Sequence, residues 1–108
     1  MKKRQDTLAD LGRFSEPGLC ILISLADGPK HGYAMTRDIE AVAGLKLGPG
    51  TLYGAIARLE GRKWIEPLAA EDRRRPYRLT AAGQRALRQR LADLNALARA
   101  GRARLAEG

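Results

Sequence analysis

The sequence has 108 residues, of which 44% are hydrophobic, 30% are charged and 5% are aromatic. A chain of this length has room for one domain with a largely aliphatic core, and too little for a separate catalytic or ligand-binding lobe. The formal net charge of +8 favours a polyanion such as nucleic acid as the partner, although charge alone is equally consistent with a role in solubility.

Several classes of protein are disfavoured by the composition. Cys20 is the single cysteine and His31 the single histidine, so we expect neither an intrachain disulfide nor a metal site. The longest apolar run, residues 19–23, is far shorter than the ~20 residues of a membrane-spanning helix. Charged residues that follow the basic residues 2–4 break the pattern of an export signal. We therefore expect a cytoplasmic protein with no membrane partner, metal or other cofactor.

Residues 1–14 are polar and mixed in charge, and we interpret them as a flexible N-terminal arm. Ser15 is a suitable N-cap for a first helix, whose apolar residues recur at helical spacing as far as Ala26. A second helix follows Gly32 and ends at Gly44, because glycine readily takes the left-handed conformation of a C-cap. Its predicted apolar face consists of Met35, Ile39, Val42 and Ala43.

The third helix begins at Pro49, which suits a first turn, and its apolar positions recur at i, i+4 and i+7. These positions are Leu52, Ile56 and Leu59. Residues 64–68 and 76–79 have the character of two short strands, and Pro67 and Pro76 confine them to the edges or ends of a sheet. Three short helices and a hairpin predict a mainly α fold, a winged helix-turn-helix with a small two-stranded β-wing.

The last predicted element is a long helix capped by Thr80. Its apolar residues alternate by four and three, as in a coiled-coil seam. They are Leu87, Leu91, Leu94, Ala98 and Leu105. Because this seam is longer than one small domain can bury, we interpret residues 80–108 as a C-terminal dimerisation helix and residues 15–79 as the DNA-binding domain.

Four motifs follow one another along the chain: His31-Gly32-Tyr33-Ala34, Leu47-Gly48-Pro49-Gly50-Thr51-Leu52-Tyr53, Arg58-Leu59-Glu60 and Tyr77-Arg78-Leu79-Thr80-Ala81-Ala82-Gly83. With these motifs, residues 19–91 resemble the PadR-like transcriptional regulators. The resemblance implies a winged-helix dimer in which residues 49–62 form the recognition helix and the C-terminal helix crosses that of the other subunit. Because the chain has a single long C-terminal helix, it is similar to the short branch of the family.

The candidates for DNA contact on the third helix are Pro49, Gly50, Thr51, Tyr53 and Arg58. Backbone N–H groups at a helix start favour phosphate, and the hydroxyls of Thr51 and Tyr53 add further donors. The guanidinium of Arg58 can bond a guanine edge or a phosphate in bidentate fashion. Alternatively, Thr51 only starts the helix and Tyr53 packs internally. Arg58 is then solvated, or paired with Asp38 or Glu60.

A second set of candidates lies outside this helix. Arg73, Arg74 and Arg75 form a basic run at the hairpin tip, which suits a wing beside the minor groove or the phosphate backbone. Tyr33 either approaches a phosphate or packs under the third helix. His31 is interpreted as a structural residue before the second helix.

Together these features predict a sequence-specific regulator of transcription that binds double-stranded DNA as a homodimer on a palindromic operator. Repression is implied by the family resemblance. The alternative is a basic winged-helix interaction module that binds RNA or an acidic protein partner without an operator. The sequence shows no nucleophile–base pair or phosphate-binding loop, so no enzymatic activity is expected. It identifies no small-molecule effector.

Overall fold

Residues 17–107 are described by the computed structural model, and they form four helices and three strands. In chain order these are α1 (Pro17–Ala26), β1 (Lys30–His31), α2 (Gly32–Ala43), α3 (Pro49–Gly61), β2 (Ile65–Pro67), β3 (Pro76–Leu79) and α4 (Ala81–Glu107). A mainly α fold with a small β-wing and a long C-terminal helix is confirmed. The predicted arm over residues 1–14 and the predicted N-cap at Ser15 lie outside the described residues.

Short local signals in the sequence determine the ends of α2 and α3. His31 is the N-cap of α2, and its Nδ1 accepts a hydrogen bond from the backbone N–H of Ala34 at 3.3 Å. Gly44 has φ 68° and donates its N–H to the carbonyl of Glu40, which confirms the predicted left-handed cap. Pro49 occupies the first turn of α3, where an N–H would have no intrahelical partner.

The hydrophobic core lies where α1, α2 and α3 meet the sheet. Its largest fully buried side chains are Ile21, Met35, Ile39 and Ile65. The predicted apolar positions of α3 are confirmed, since all three are buried. Val42 and Ala43, which were expected on the apolar face of α2, are exposed, because the core ends at Ile39 and the last turn of α2 extends beyond it.

The sheet has three antiparallel strands in the order β1-β3-β2. Strand β2 pairs with β3 in a register that places Ile65 opposite Leu79, and this confirms the predicted hairpin. Strand β1 adds a third strand that the sequence did not indicate, with His31 opposite Pro76. Through this pairing, the residue that caps α2 is attached directly to the wing.

The first turn of α4 is held closely against the segment that links α3 to β2. The hydroxyl of Thr80 accepts a bond from the N–H of Gly83 at 3.0 Å and donates to the carbonyl of Lys63 at 2.7 Å, which confirms Thr80 as the cap. Gly83 is buried, and a Cβ at this position would overlap the carbonyl oxygen of Trp64. The absence of a side chain at Gly83 therefore permits the close approach of the two segments.

Beyond its second turn, α4 extends away from the core. Leu87 is 7% exposed and belongs to the subunit's own core, whereas Leu91 is 40% exposed and Leu105 is 83% exposed. The part of the predicted seam that is open to a partner therefore begins at Leu91. Leu97, which the seam pattern did not include, is 70% exposed. None of the helices within residues 17–107 has the length and apolar character that crossing a membrane requires.

Candidate nucleic-acid interface

Helix α3 packs one face against the core and exposes the other. The exposed face carries the residues predicted for DNA contact: Pro49, Gly50, Thr51, Tyr53 and Arg58. Its first turn contains no acidic residue, so no carboxylate of that turn neutralises the N–H groups and the positive end of the helix dipole. The helix therefore presents a donor-rich end and an exposed polar face to an anionic partner.

Arg58 projects from α3 and has no ion pair with any of residues 17–107. Within the described residues, neither Asp38 nor Glu60 is paired with it, and Asp38 instead lies 4.0 Å from the ammonium of Lys30. Lys30 also donates to the carbonyl of Ser24 at 2.6 Å, and its side chain is only 17% exposed. Lys30 is thus held within the fold, whereas the guanidinium of Arg58 remains open to an external acceptor.

Two tyrosines are positioned by the first turns of α2 and α3. Tyr33 is 63% exposed, and the guanidinium of Arg37 lies 5.9 Å from the centroid of its ring. Tyr53 is 53% exposed, yet a Cβ added to the buried Gly32 would overlap its hydroxyl. The ring end of Tyr53 therefore packs against α2, while about half of the residue stays open to solvent.

The tip of the wing is a tight turn. Glu71 and Arg74 exchange two backbone hydrogen bonds of 2.7 and 2.9 Å. Asp72 lies between them with φ 58°, a conformation that aspartate tolerates better than most residues with a side chain. The tip therefore closes without a glycine, and it holds the neighbouring arginines in a defined backbone geometry.

The three arginines of the tip are all exposed, but their surroundings differ. Arg75 donates to the carbonyl of Leu68 at 2.8 Å, which ties it to the hairpin. Arg74 places Nη1 3.3 Å from Nε2 of His31. Arg73 has no hydrogen-bond or ion-pair partner within residues 17–107. The three arginines, which the sequence predicted as one basic run, therefore lie in three different environments.

A cleft of about 300 Å³ lies between the wing and the starts of α2 and α3. Its lining consists of His31, Gly32, Tyr33, Tyr53, Arg73, Arg74, Arg75 and Tyr77. The structure thus brings the two candidate tyrosines together with the wing arginines, whereas Thr51 and Arg58 lie outside the cleft on α3. Among residues 17–107, no carboxylate lines the cleft. The cleft is rich in hydrogen-bond donors and suits an anion.

Tyr77 and His31 belong to this cleft although the sequence did not indicate either as a contact residue. Burial, and secondarily the carboxylate of Glu60, raise the pKa of the Tyr77 phenol above its ordinary value, so its hydroxyl remains protonated and able to donate. Both residues reach the cleft through the pairing of β1 with β3. A strand of two residues has no periodicity, so the sequence could not predict β1. The position of His31 directly before α2 was the one signal that the sequence offered.

The described residues offer other sites less suited to an anion. Within residues 17–107, no three His, Cys, Asp or Glu side chains are grouped as metal ligands. A groove of about 230 Å³ between α1 and α4 is lined mainly by apolar groups, among them Leu19, Leu22 and Trp64. Nucleic-acid chemistry is therefore best matched by α3 and the cleft beside it.

A helical unit followed by an antiparallel wing, with a basic cleft between them, defines a winged helix-turn-helix protein. More particularly, the chain belongs to the transcriptional regulator PadR-like family, whose family model matches residues 21–89. This match confirms the family that the motifs suggested. The family consists of transcriptional regulators and not of enzymes.

The chain is also similar to individual proteins. An uncharacterized 37.1 kDa protein of transposon Tn4556 from Streptomyces fradiae is 49% identical over 75 residues, covering 69% of this chain and 22% of that protein. The chain thus spans 22% of that relative's length. The transcriptional regulator Rv3488 of Mycobacterium tuberculosis is 39% identical over 84 residues, covering 75% of this chain and 78% of that protein. The solved structure of a transcriptional regulator from Clostridium thermocellum has a TM-score of 0.70 at 28% identity, covering 77% of this chain and 86% of that chain.

Proposed function

We propose that this protein is a sequence-specific regulator that binds double-stranded DNA as a homodimer on a palindromic operator and represses transcription. The observation that carries the proposal is the cleft, where donors from α2, α3 and the wing converge and no carboxylate of the described residues is present. The net charge of +8 supports it, because cationic side chains that neutralise phosphates release condensed counterions from DNA.

In this proposal α3 lies in the major groove, which is wide enough to admit a helix. Thr51 and Arg58 project from its exposed face toward base edges, where a guanidinium can bond a guanine in bidentate fashion. Pro49 and Gly50 bring the start of the helix close to a backbone phosphate. The wing lies along the adjacent backbone or minor groove, and its arginines contact phosphates.

Dimerisation is assigned to α4, and the two subunits are related by a twofold axis. The proposed interface consists of Leu87, Leu91, Leu94, Ala98 and Leu105. Leu87 anchors the seam in the subunit core, and the residues from Leu91 onward supply the surface that the second copy covers. Two recognition helices held in this way contact two half-sites, which is why a palindromic operator is proposed.

Footprinting of the purified protein on the DNA upstream of its own gene tests the proposal. We expect a protected palindrome whose half-sites lie about one helical turn, or 10 bp, apart. Titrations against that site and a random duplex should both depend steeply on salt, with the operator bound at least ~10³-fold more tightly. Equal affinity for both duplexes, or a preference for RNA, would support the interaction module instead.

Substitutions on α3 test which surface discriminates between sequences. Thr51→Ala and Arg58→Ala should weaken binding to the operator more than to random DNA, since loss of a good base contact reduces discrimination by about 5- to 150-fold. Arg88→Ala is the matched control, because it removes one exposed cation from α4 and should leave discrimination unchanged. Equal losses on both duplexes would assign Thr51 and Arg58 to the phosphate backbone.

A further inference from the structure

The capping bond of α2 determines where the proton of His31 lies. Its Nδ1 accepts a hydrogen bond from the backbone N–H of Ala34, so Nδ1 carries a lone pair and no hydrogen. In a neutral imidazole the single ring proton must then be on Nε2. His31 therefore caps α2 through Nδ1 and presents a hydrogen-bond donor through Nε2.

That donor faces another donor. Nη1 of Arg74 lies 3.3 Å from Nε2 of His31, and a guanidinium has N–H groups but no acceptor. With Nδ1 already occupied, this contact cannot be a hydrogen bond in either direction. The two N–H groups are brought together without a lone pair between them.

The part of the cleft formed by residues 17–107 supplies no carboxylate that could accept a hydrogen bond from this pair. Its described lining consists of tyrosines, arginines, Gly32 and this histidine, with no aspartate or glutamate among them. The pair is also held by the backbone, since His31 lies opposite Pro76 in the sheet and Arg74 closes the wing turn through its bonds with Glu71. Two donors that are fixed in position beside an open cleft form a site for an external anion.

We propose that His31 and Arg74 together bind one phosphate of the DNA backbone, each donating one hydrogen bond to it. The inference rests on the proposed DNA-binding function and adds a specific contact to it. The phosphate supplies the lone pairs that the pair lacks. Because the contact is to the backbone, it positions the wing relative to α2 and contributes to affinity without reading sequence.

Two substitutions separate the contribution of the His31 N–H group to DNA affinity from that of the Arg74 guanidinium. His31→Asn keeps a good N-cap residue but removes the Nε2–H, so it should weaken binding to a random duplex about tenfold or more while leaving the slope of log affinity against log salt unchanged. Arg74→Ala should weaken binding and also flatten that slope by about 0.9 per subunit. Thermal unfolding by circular dichroism checks that each variant is folded.

A double substitution tests whether both residues hold the same phosphate. If they do, His31→Asn costs less affinity in the Arg74→Ala background than in the parent, by about twofold or more. Arg104→Ala, in the last turn of α4, is the matched control, because it removes the same charge and should leave the effect of His31→Asn unchanged. Full additivity with Arg74→Ala would overturn the shared site.

The single histidine of the chain also gives a direct measurement on the unmodified protein. A long-range ¹H–¹⁵N spectrum is expected to show the Nε2–H tautomer in the free protein, and this proton should shift when a 30-bp random duplex is added. An Nδ1–H tautomer, or an Nε2 proton that the bound duplex leaves unchanged, would overturn the inference while leaving DNA binding itself intact. If the parent binds no duplex at all, the proposed function fails and this inference fails with it.

Discussion

The winged-helix body, residues 17–79, and the distal part of α4, from Leu91 onward, differ in where their apolar side chains lie. In the body, residues at helical spacing such as Ile21, Met35 and Ile39 are buried. In distal α4, by contrast, Leu91 and Leu105 of the predicted seam are exposed and Leu94 is only half-buried. Periodicity alone therefore does not show whether an apolar face is covered within the subunit or by something outside it.

Length is the physical reason for this difference. Helix α4 has 27 residues, about 40 Å at 1.5 Å per residue, whereas α1, against which it packs, has 10 residues and spans about 15 Å. Only Gly83 and Leu87 of α4 are buried. An apolar stripe that stays partly exposed commonly marks an interaction surface, which supports the proposed dimer.

The largest effect is expected from Leu94→Asp, which makes the distal part of α4 polar. Leu94 is half-buried within the subunit, and in the proposed dimer each chain would bury an unpaired carboxylate at a cost of several kcal/mol. Light scattering should show a monomer where the parent is a dimer. Operator affinity should fall steeply, because one subunit contacts only one half-site.

Asn95→Asp is the matched control, since it adds the same charge at the next, exposed position of α4, and the dimer should persist. Circular dichroism establishes that the Leu94→Asp chain is still folded. If that variant remains a dimer, the interface lies elsewhere. If a folded monomer binds the operator as tightly as the parent, the proposal of two half-sites is wrong.

A smaller effect is expected where the two regions join. Gly83→Ala would force a Cβ into the carbonyl oxygen of Trp64, a backbone atom that cannot rotate away, and overpacking of this kind costs about 3 kcal/mol. Thermal unfolding should show a melting temperature lower by about 10 °C or more. Gly61→Ala is the control, because among residues 17–107 no atom lies within 4 Å of a Cβ at this last position of α3 and alanine there should be neutral or stabilise the helix by up to ~1 kcal/mol. A similar melting temperature for the two variants would contradict the close approach at Gly83.

The elements that the sequence predicted correctly are those with local causes. Gly44 ends α2, Pro49 starts α3 and Thr80 caps α4 because each acts through its own backbone or hydroxyl within one turn. The wing hairpin was detectable because its two strands are adjacent in sequence. Local chemistry of this kind is visible in the order of residues.

What could not be predicted depends on residues far apart in the chain. Strand β1 has two residues and exists only because β3 pairs with it. Val42 continues the apolar pattern of α2 but lies past the end of the core. Likewise, the sequence shows Arg74 and Arg75 as equivalent neighbours, but the tertiary fold places Arg74 beside the ring of His31 and lets Arg75 donate to the Leu68 carbonyl.

The smallest effect is expected from Arg73→Ala in the wing. Both the wing and distal α4 carry exposed arginines, and this variant tests whether those of the wing contact DNA. Arg73 has no partner within residues 17–107, so its guanidinium can bind a phosphate at no cost in broken bonds. Arg73→Ala should therefore weaken binding to operator and random duplex equally. It should also flatten the slope of log affinity against log salt by about 0.9 per subunit.

Two matched variants remove the same charge in different surroundings. Arg75→Ala also loses the bond to the Leu68 carbonyl, so part of its effect should appear as a lower melting temperature, with a smaller change in the salt slope than for Arg73→Ala. Arg102→Ala, in distal α4, should change neither the slope nor the discrimination, since its helix is assigned to the dimer interface. If Arg102→Ala flattens the slope as much as Arg73→Ala does, the DNA contact is not confined to the body. The division between a DNA-binding body and a dimerising helix would then be wrong.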